Sequence, residues 1–93
     1  MKKYEFVLVL TEEAGKDDVS AKKLAQEIVS KVKGKIIETK VLGVRELAYP
    51  INKATKGWYG FFVVELTGEE ISELEKNIKL EEKIIRYLLV RAE

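Results

Sequence analysis

No cysteine and no histidine occur in the 93 residues. Without cysteine there is no disulfide frame, thiol nucleophile or thiolate metal site, and the composition suits a reducing, cytoplasmic home. Without histidine the commonest general base and the commonest metal ligand are both missing. The chain has one proline, Pro50, and one tryptophan, Trp58. Long apolar runs are absent too. Phe6 to Leu10 follows two lysines as a signal peptide would, but Thr11-Glu12-Glu13 cuts it short, which argues against targeting and membrane insertion. No charge dominates: 17 Lys+Arg against 16 Asp+Glu leave a formal +1. A protein that grips nucleic acid by bulk charge is far more basic. Any such binding must rest on local clusters or on a basic partner.

What is present is one domain, residues 1–93, with 46% hydrophobic and 35% charged residues. Its centre is Gly43 to Leu66. Val44 to Tyr49 stays extended up to Pro50, because proline disfavours helix in the residue before it. Trp58 to Leu66 is aromatic and β-branched, the chemistry of a strand. The polar segment Asn52 to Lys56, closed by Gly57, predicts a hairpin loop between them. Ahead of this, Tyr4 to Leu10 alternates as a strand, with Tyr4, Phe6, Leu8 and Leu10 in one row and Glu5, Val7 and Val9 in the other. A loop ending in Asp17 and Asp18 leads to a helix with apolar residues at Ala21, Leu24, Ala25, Ile28 and Val32, and Gly34 is its expected C-terminal stop. Lys35 to Tyr49 is a long strand in which Gly43 marks a bulge or bend. Thr67 and Glu70 form a capping box for a second helix bearing Ile71, Leu74 and Ile78. Lys83 to Arg91 is the last strand, with Ile85, Tyr87 and Leu89 on one face and Ile84, Arg86, Leu88 and Val90 on the other. The order β-α-β-β-α-β fits an α+β, ferredoxin-like sandwich: a four-stranded antiparallel sheet, order 4-1-3-2, with two helices on one face.

Two helices leave one sheet face bare, and a bare face is normally polar. Here Tyr59, Phe61, Val63 and Glu65 point outward, and the first three lie beside Val7, Val9, Leu88 and Val90 in an apolar patch of the kind that marks an interface. Cations gather at the sheet ends: Lys2, Lys3 and Arg91 at one, Lys53 and Lys56 at the other, with Arg86 on the open face. Taken singly, such lysines are ordinary solubility and edge-protection devices. Lys56 to Val63 approaches the third-strand signature of the RNA-recognition motif, K/R-G-F/Y-G/A-F-V-x-F/Y, but one residue too many separates Gly57 from Gly60 and breaks the stacking platform. Adjacent carboxylates such as Glu12/Glu13 and Glu81/Glu82 read as solvated charge, so catalysis, a metal and a cofactor are not expected. Two alternatives stay open: a sheet-face binder of single-stranded RNA, and a small regulatory ligand-binding domain.

Lys3-Tyr4-Glu5, Gly43-x-Arg45-x-Leu47-Ala48-Tyr49-Pro50-Ile51-x-Lys53, Gly57-x-Tyr59 and Arg86-Tyr87-Leu88-Leu89-Val90-Arg91 together resemble the bacterial small-subunit ribosomal protein six family. The likeness spans the chain in unbroken order. It implies a structural, non-catalytic protein that binds the central domain of small-subunit ribosomal RNA as a heterodimer with ribosomal protein eighteen, with no small-molecule substrate and no membrane. By the resemblance, Lys2, Lys3 and Arg91 contact the RNA backbone, and Lys53 with the Tyr49-Pro50 turn belongs to the hairpin. Phe61, Val63 and the second-strand edge around Val41, Arg45 and Glu46 seat the partner. Departures lie on that edge: Lys40-Val41-Leu42 stands where members often carry acids, and Glu46 where they often carry a base or amide. The acidic tail some members append is absent from this sequence.

Overall fold

The computed structural model describes residues 2–51 and 54–92. Six elements follow in order: β1 (Lys2–Thr11), α1 (Asp18–Lys31), β2 (Lys35–Ile51), β3 (Ala54–Leu66), α2 (Gly68–Leu80) and β4 (Ile84–Arg91). The sheet order is β2-β3-β1-β4 and every neighbouring pair is antiparallel. This is the ferredoxin-like α+β sandwich expected from the element order. No described helix is long and apolar enough to cross a membrane.

Period-two alternation puts Phe6, Leu8 and Leu10 of β1 and Trp58, Phe62, Val64 and Leu66 of β3 on the helix side, all buried. Ala21, Ala25, Ile28 and Val29 of α1 and Leu74 and Ile78 of α2 close over them. Small alanines at the contact face let α1 come close to the sheet. The rings of Phe6 and Phe62 lie 6.1 Å apart, and those of Trp58 and Phe62 6.5 Å, both tilted, a spacing aromatic pairs favour. Trp58 is fully buried, and its indole Nε1 donates to Asp18 Oδ1 at 3.0 Å. One hydrogen bond thus ties the first turn of α1 to the middle of the sheet. Between α2 and β4 the Tyr87 hydroxyl donates to Glu75 Oε2 at 2.6 Å, which with burial pushes the phenol above its ordinary pKa.

Local chemistry explains the helix ends. Asp17 caps α1 by accepting from Ser20 N at 2.7 Å, and the bonds from Ser20 hold its carboxyl below the usual aspartate range. Thr67 and Glu70 form the expected reciprocal box on α2, with bonds of 3.3 and 2.8 Å. The α1 C-terminus differs from expectation. Lys33, not Gly34, adopts the left-handed conformation, at φ 61°. Its N–H bonds Ser30 O and that of Gly34 bonds Val29 O, both at 3.0 Å, the two bonds of a Schellman ending. Gly34 is needed for a different reason: a Cβ there would stand 2.3 Å from Leu66 Cδ2. Since a left-handed lysine costs about 1 kcal/mol, Lys33→Gly is expected to raise stability by about 0.5 kcal/mol after the entropy of the freer unfolded chain is deducted. Urea denaturation should show a higher midpoint at unchanged slope.

Two irregularities depart from simple alternation. Val9 pairs with Arg86 but Leu10 with Ile84, so β4 carries an extra residue at Ile85. The bulge turns Ile84 into the core cluster and leaves Ile85 near Val9 and Gly57, reversing the faces expected for these two residues. The second concerns the hairpin. β3 begins at Ala54, so Thr55, Lys56 and Gly57 are strand rather than loop. Glu46 pairs with Lys56 and Ile51 with Ala54, so Leu47-Ala48-Tyr49-Pro50 on β2 faces Thr55 alone on β3. That surplus makes β2 arch. Gly43, at φ 81° and at a register shift beside Val41, is the bend its isolation suggested.

Candidate partner and nucleic-acid interface

The face without helices is defined by register. Reading from β2 across to β4, one transverse row is Glu38–Val63–Glu5–Val90 and the next is Lys40–Phe61–Val7–Leu88. Gly43–Tyr59–Val9–Arg86 follows toward the hairpin, and Lys35–Glu65–Lys3 lies at the far end. Val7, Phe61 and Val63 are half-buried by their neighbours alone. Leu88 is 57% exposed and Val90 46%. An apolar band therefore crosses three strands in contact with solvent.

The hairpin alters this face in a way alternation could not reveal. The arch of β2 folds over the sheet, and Leu47, Ala48 and Tyr49 close a small cleft of about 70 Å³ with Val9, Tyr59 and Arg86. Val9, expected to lie open to a partner, is only 4% exposed. Tyr59 lines the cleft beneath the arch. Arg86 secures it: Nη2 donates to the Tyr49 hydroxyl at 2.8 Å, and the guanidinium carbon sits 5.4 Å from the centre of the Tyr49 ring. The hydroxyl's hydrogen bond favours the charged guanidinium, raising its pKa. The surface left for docking is Val7, Phe61, Val63, Leu88 and Val90.

The remaining expected residues fall into two places. Val41, expected with Arg45 and Glu46 on the partner-seating edge of β2, packs instead against the core cluster. Arg45 and Glu46 lie exposed on the edge strand β2, opposite Gly57 and Lys56. Lys2, Lys3 and Arg91 meet at one end of the sheet, where Tyr4 pairs with Arg91 and Ala92 N donates to Lys3 O at 2.9 Å. Tyr49, Pro50 and Lys56 are exposed at the other end, about 25 Å away by strand rise. Lys53 lies outside the described residues. Alternation alone already sets Glu5, in the row of Val7 and Val9, and Glu65 on the open face; that Glu38 joins them appears only when register is known.

The alternatives fare less well against this geometry. Single-stranded RNA would have to stack on Tyr59 under the arch and pass the carboxylates of Glu5 and Glu38, whose charge opposes phosphate. Trp58, next to Tyr59 on the same strand, is buried on the opposite side and offers a base no stacking surface. A second, wider cleft of about 470 Å³ lies between α1, the loop before it and Lys83. It is lined by mixed charge from Glu13, Lys16, Lys23, Glu27 and Lys83, without the apolar enclosure of a small-molecule pocket.

The architecture is that of a ferredoxin-like sandwich whose bare sheet face is apolar at its centre and whose cations stand at its two ends. A sequence profile described as Ribosomal protein S6 matches residues 3–91. The small ribosomal subunit protein bS6 of Phytoplasma australiense is 33% identical over 94 residues, covering 98% of this chain and 99% of that protein. The bS6 of Pelobacter propionicus is 36% identical over 89 residues, covering 94% and 68%. The crystal structure of 30S ribosomal protein S6 from Thermotoga maritima superposes with a TM-score of 0.77 at 25% identity, over 97% of this chain and 86% of that one. The chain belongs to the ribosomal protein S6 family, and is a protein of the small subunit of the cytoplasmic ribosome and not an enzyme.

Proposed function

We propose that the protein binds the central domain of small-subunit ribosomal RNA jointly with ribosomal protein eighteen, as a heterodimer, and takes no small-molecule substrate. The observation that carries this reading is the solvent-facing band of Phe61, Val7 and Leu88 at the centre of the bare sheet. A contiguous apolar strip on a protein of this size favours a macromolecular partner. The cations support the second half. Lys2, Lys3 and Arg91 at one end, and Lys56 with the Tyr49-Pro50 arch at the other, give phosphate contacts that position RNA around the heterodimer.

A net charge of +1 leaves the isolated chain few phosphates to neutralise, so a basic partner supplies most of the counterion release. Alone, the protein is expected to bind a central-domain RNA fragment weakly, with a shallow slope of log affinity against log salt. Adding ribosomal protein eighteen should raise affinity at least about a hundredfold and steepen the slope, because two linked sets of contacts then act together. Filter binding at several salt concentrations tests this. Tight binding by the isolated chain in moderate salt contradicts it.

A further inference from the structure

One group on the open face sits awkwardly for a surface that another molecule covers. Glu5 lies on the central strand β1, with Val63 directly opposite on β3 and Val90 directly opposite on β4. Along its own strand the next residue on the same face toward the hairpin is Val7. Apolar side chains therefore border it on three sides, and on the fourth, two residues back toward the sheet end, stands Lys3, which has Glu65 directly opposite it on β3. No cation lies across from it on either neighbouring strand, whereas Glu65 has Lys3 and Lys35 opposite it on the two strands beside it. Glu38, at the edge of the same row, faces the same way beyond Val63. In the free protein Glu5 is exposed and water solvates its carboxylate. Covering the apolar band removes that water, and a carboxylate buried without a partner carries a large desolvation penalty.

We infer that the protein partner seated on this face places a cationic side chain, an arginine or lysine flanked by apolar contacts, over Glu5 between Val63 and Val90. This rests on the docking reading above and adds to it the chemistry of the contact at its centre. An arginine suits the place well, since its planar fork bonds a carboxylate through two parallel hydrogen bonds while its faces lie against apolar side chains. Glu38 draws the same partner by longer-range attraction and sets its orientation. The two carboxylates also turn nucleic acid away from the sheet centre, which leaves RNA to the cationic ends. Glu5 is thus a specificity-determining residue.

The test is a sign, and it uses the full chain with ribosomal protein eighteen as the probe in titration calorimetry. Glu5→Val enlarges the apolar band and suits a strand, so folding is retained and circular dichroism confirms it. If nothing cationic sits over Glu5, this change removes a desolvated charge and binding tightens. With the cation present, Glu5→Val and Glu5→Gln both leave it unpaired, and each is expected to weaken binding at least about tenfold. Equal or tighter binding by Glu5→Val overturns the inference. Partner binding that matches the wild type's when Phe61 is made charged overturns instead the docking reading on which it rests. Cross-linking of an RNA oligonucleotide to Tyr59 or Phe61 in the wild-type protein would overturn both.

Discussion

Replacing Trp58 by alanine is expected to destabilise the protein by about 3–5 kcal/mol, a large share of the roughly 5–15 kcal/mol that holds an ordinary domain together. The ring is the largest fully buried side chain, and it occupies a slot cut by two glycines. A Cβ on Gly15 would stand 2.2 Å from Trp58 Cβ, and one on Gly60 would stand 2.4 Å from Cη2 and 2.5 Å from Cζ3 of the indole. Neither clash can be relieved by a flexible chain end, because the ring is packed against Phe62 and tied to Asp18. Gly60→Ala should therefore cost about 1–3 kcal/mol through overpacking. The decisive comparison is the double variant. Trp58→Phe removes the far ring atoms that a Gly60 methyl would strike, together with the bond to Asp18. Gly60→Ala is then expected to cost clearly less in the Trp58→Phe background than in the wild type, a coupling of about 1 kcal/mol that equilibrium denaturation can resolve. Additive costs would show that the slot is not shaped for the indole.

The slot also marks a limit of what the sequence discloses. Patterns confined to one element are legible. The alternation of Phe6, Leu8 and Leu10, the helical stripe of Ala21, Ala25 and Ile28, the Thr67/Glu70 box and the bend at Gly43 follow from local spacing, and the six elements with their sheet order follow from them. Features that depend on distant residues are not. Gly60 stands two residues from Trp58 on the same strand face, but that Gly15, in the loop before α1, also makes room for the ring follows only from how α1 lies on the sheet. Bulges hide for a related reason. One extra residue reverses the faces of Ile84 and Ile85 while leaving their apolar character unchanged, so no hydropathy signal records it. The arch is the most consequential case. Leu47 to Pro50 has the residues of a strand, but their number exceeds what β3 offers opposite, and the surplus covers Val9 and Tyr59. Two of the seven residues expected on the docking face are thereby covered by the chain itself.

Phe61 lies three positions from Trp58 and on the other face of the same strand, and its substitution is expected to have the opposite character. Making Phe61 either lysine or aspartate should abolish binding to ribosomal protein eighteen, a loss of more than about a hundredfold, at a folding cost of about 1 kcal/mol. The folding cost is small because Phe61 is half-exposed, and a charged head there still reaches water. The binding loss is large because the same head must be stripped of water when a partner covers the row Lys40–Phe61–Val7–Leu88. Using both signs separates two causes. If apolar burial drives docking, lysine and aspartate fail alike. If charge alone drove it, aspartate beside Glu5 and Glu38 would strengthen the pull on a basic partner and only lysine would fail. Calorimetric titration of the two variants, with thermal denaturation to confirm that each is folded, decides between these outcomes. Partner binding that survives both substitutions would place the interface elsewhere, on the exposed edge of β2 around Arg45 and Glu46. The alternation along β3 thus divides one strand between two tasks, with Trp58, Phe62 and Val64 holding the fold and Phe61 and Val63 left free to hold another molecule.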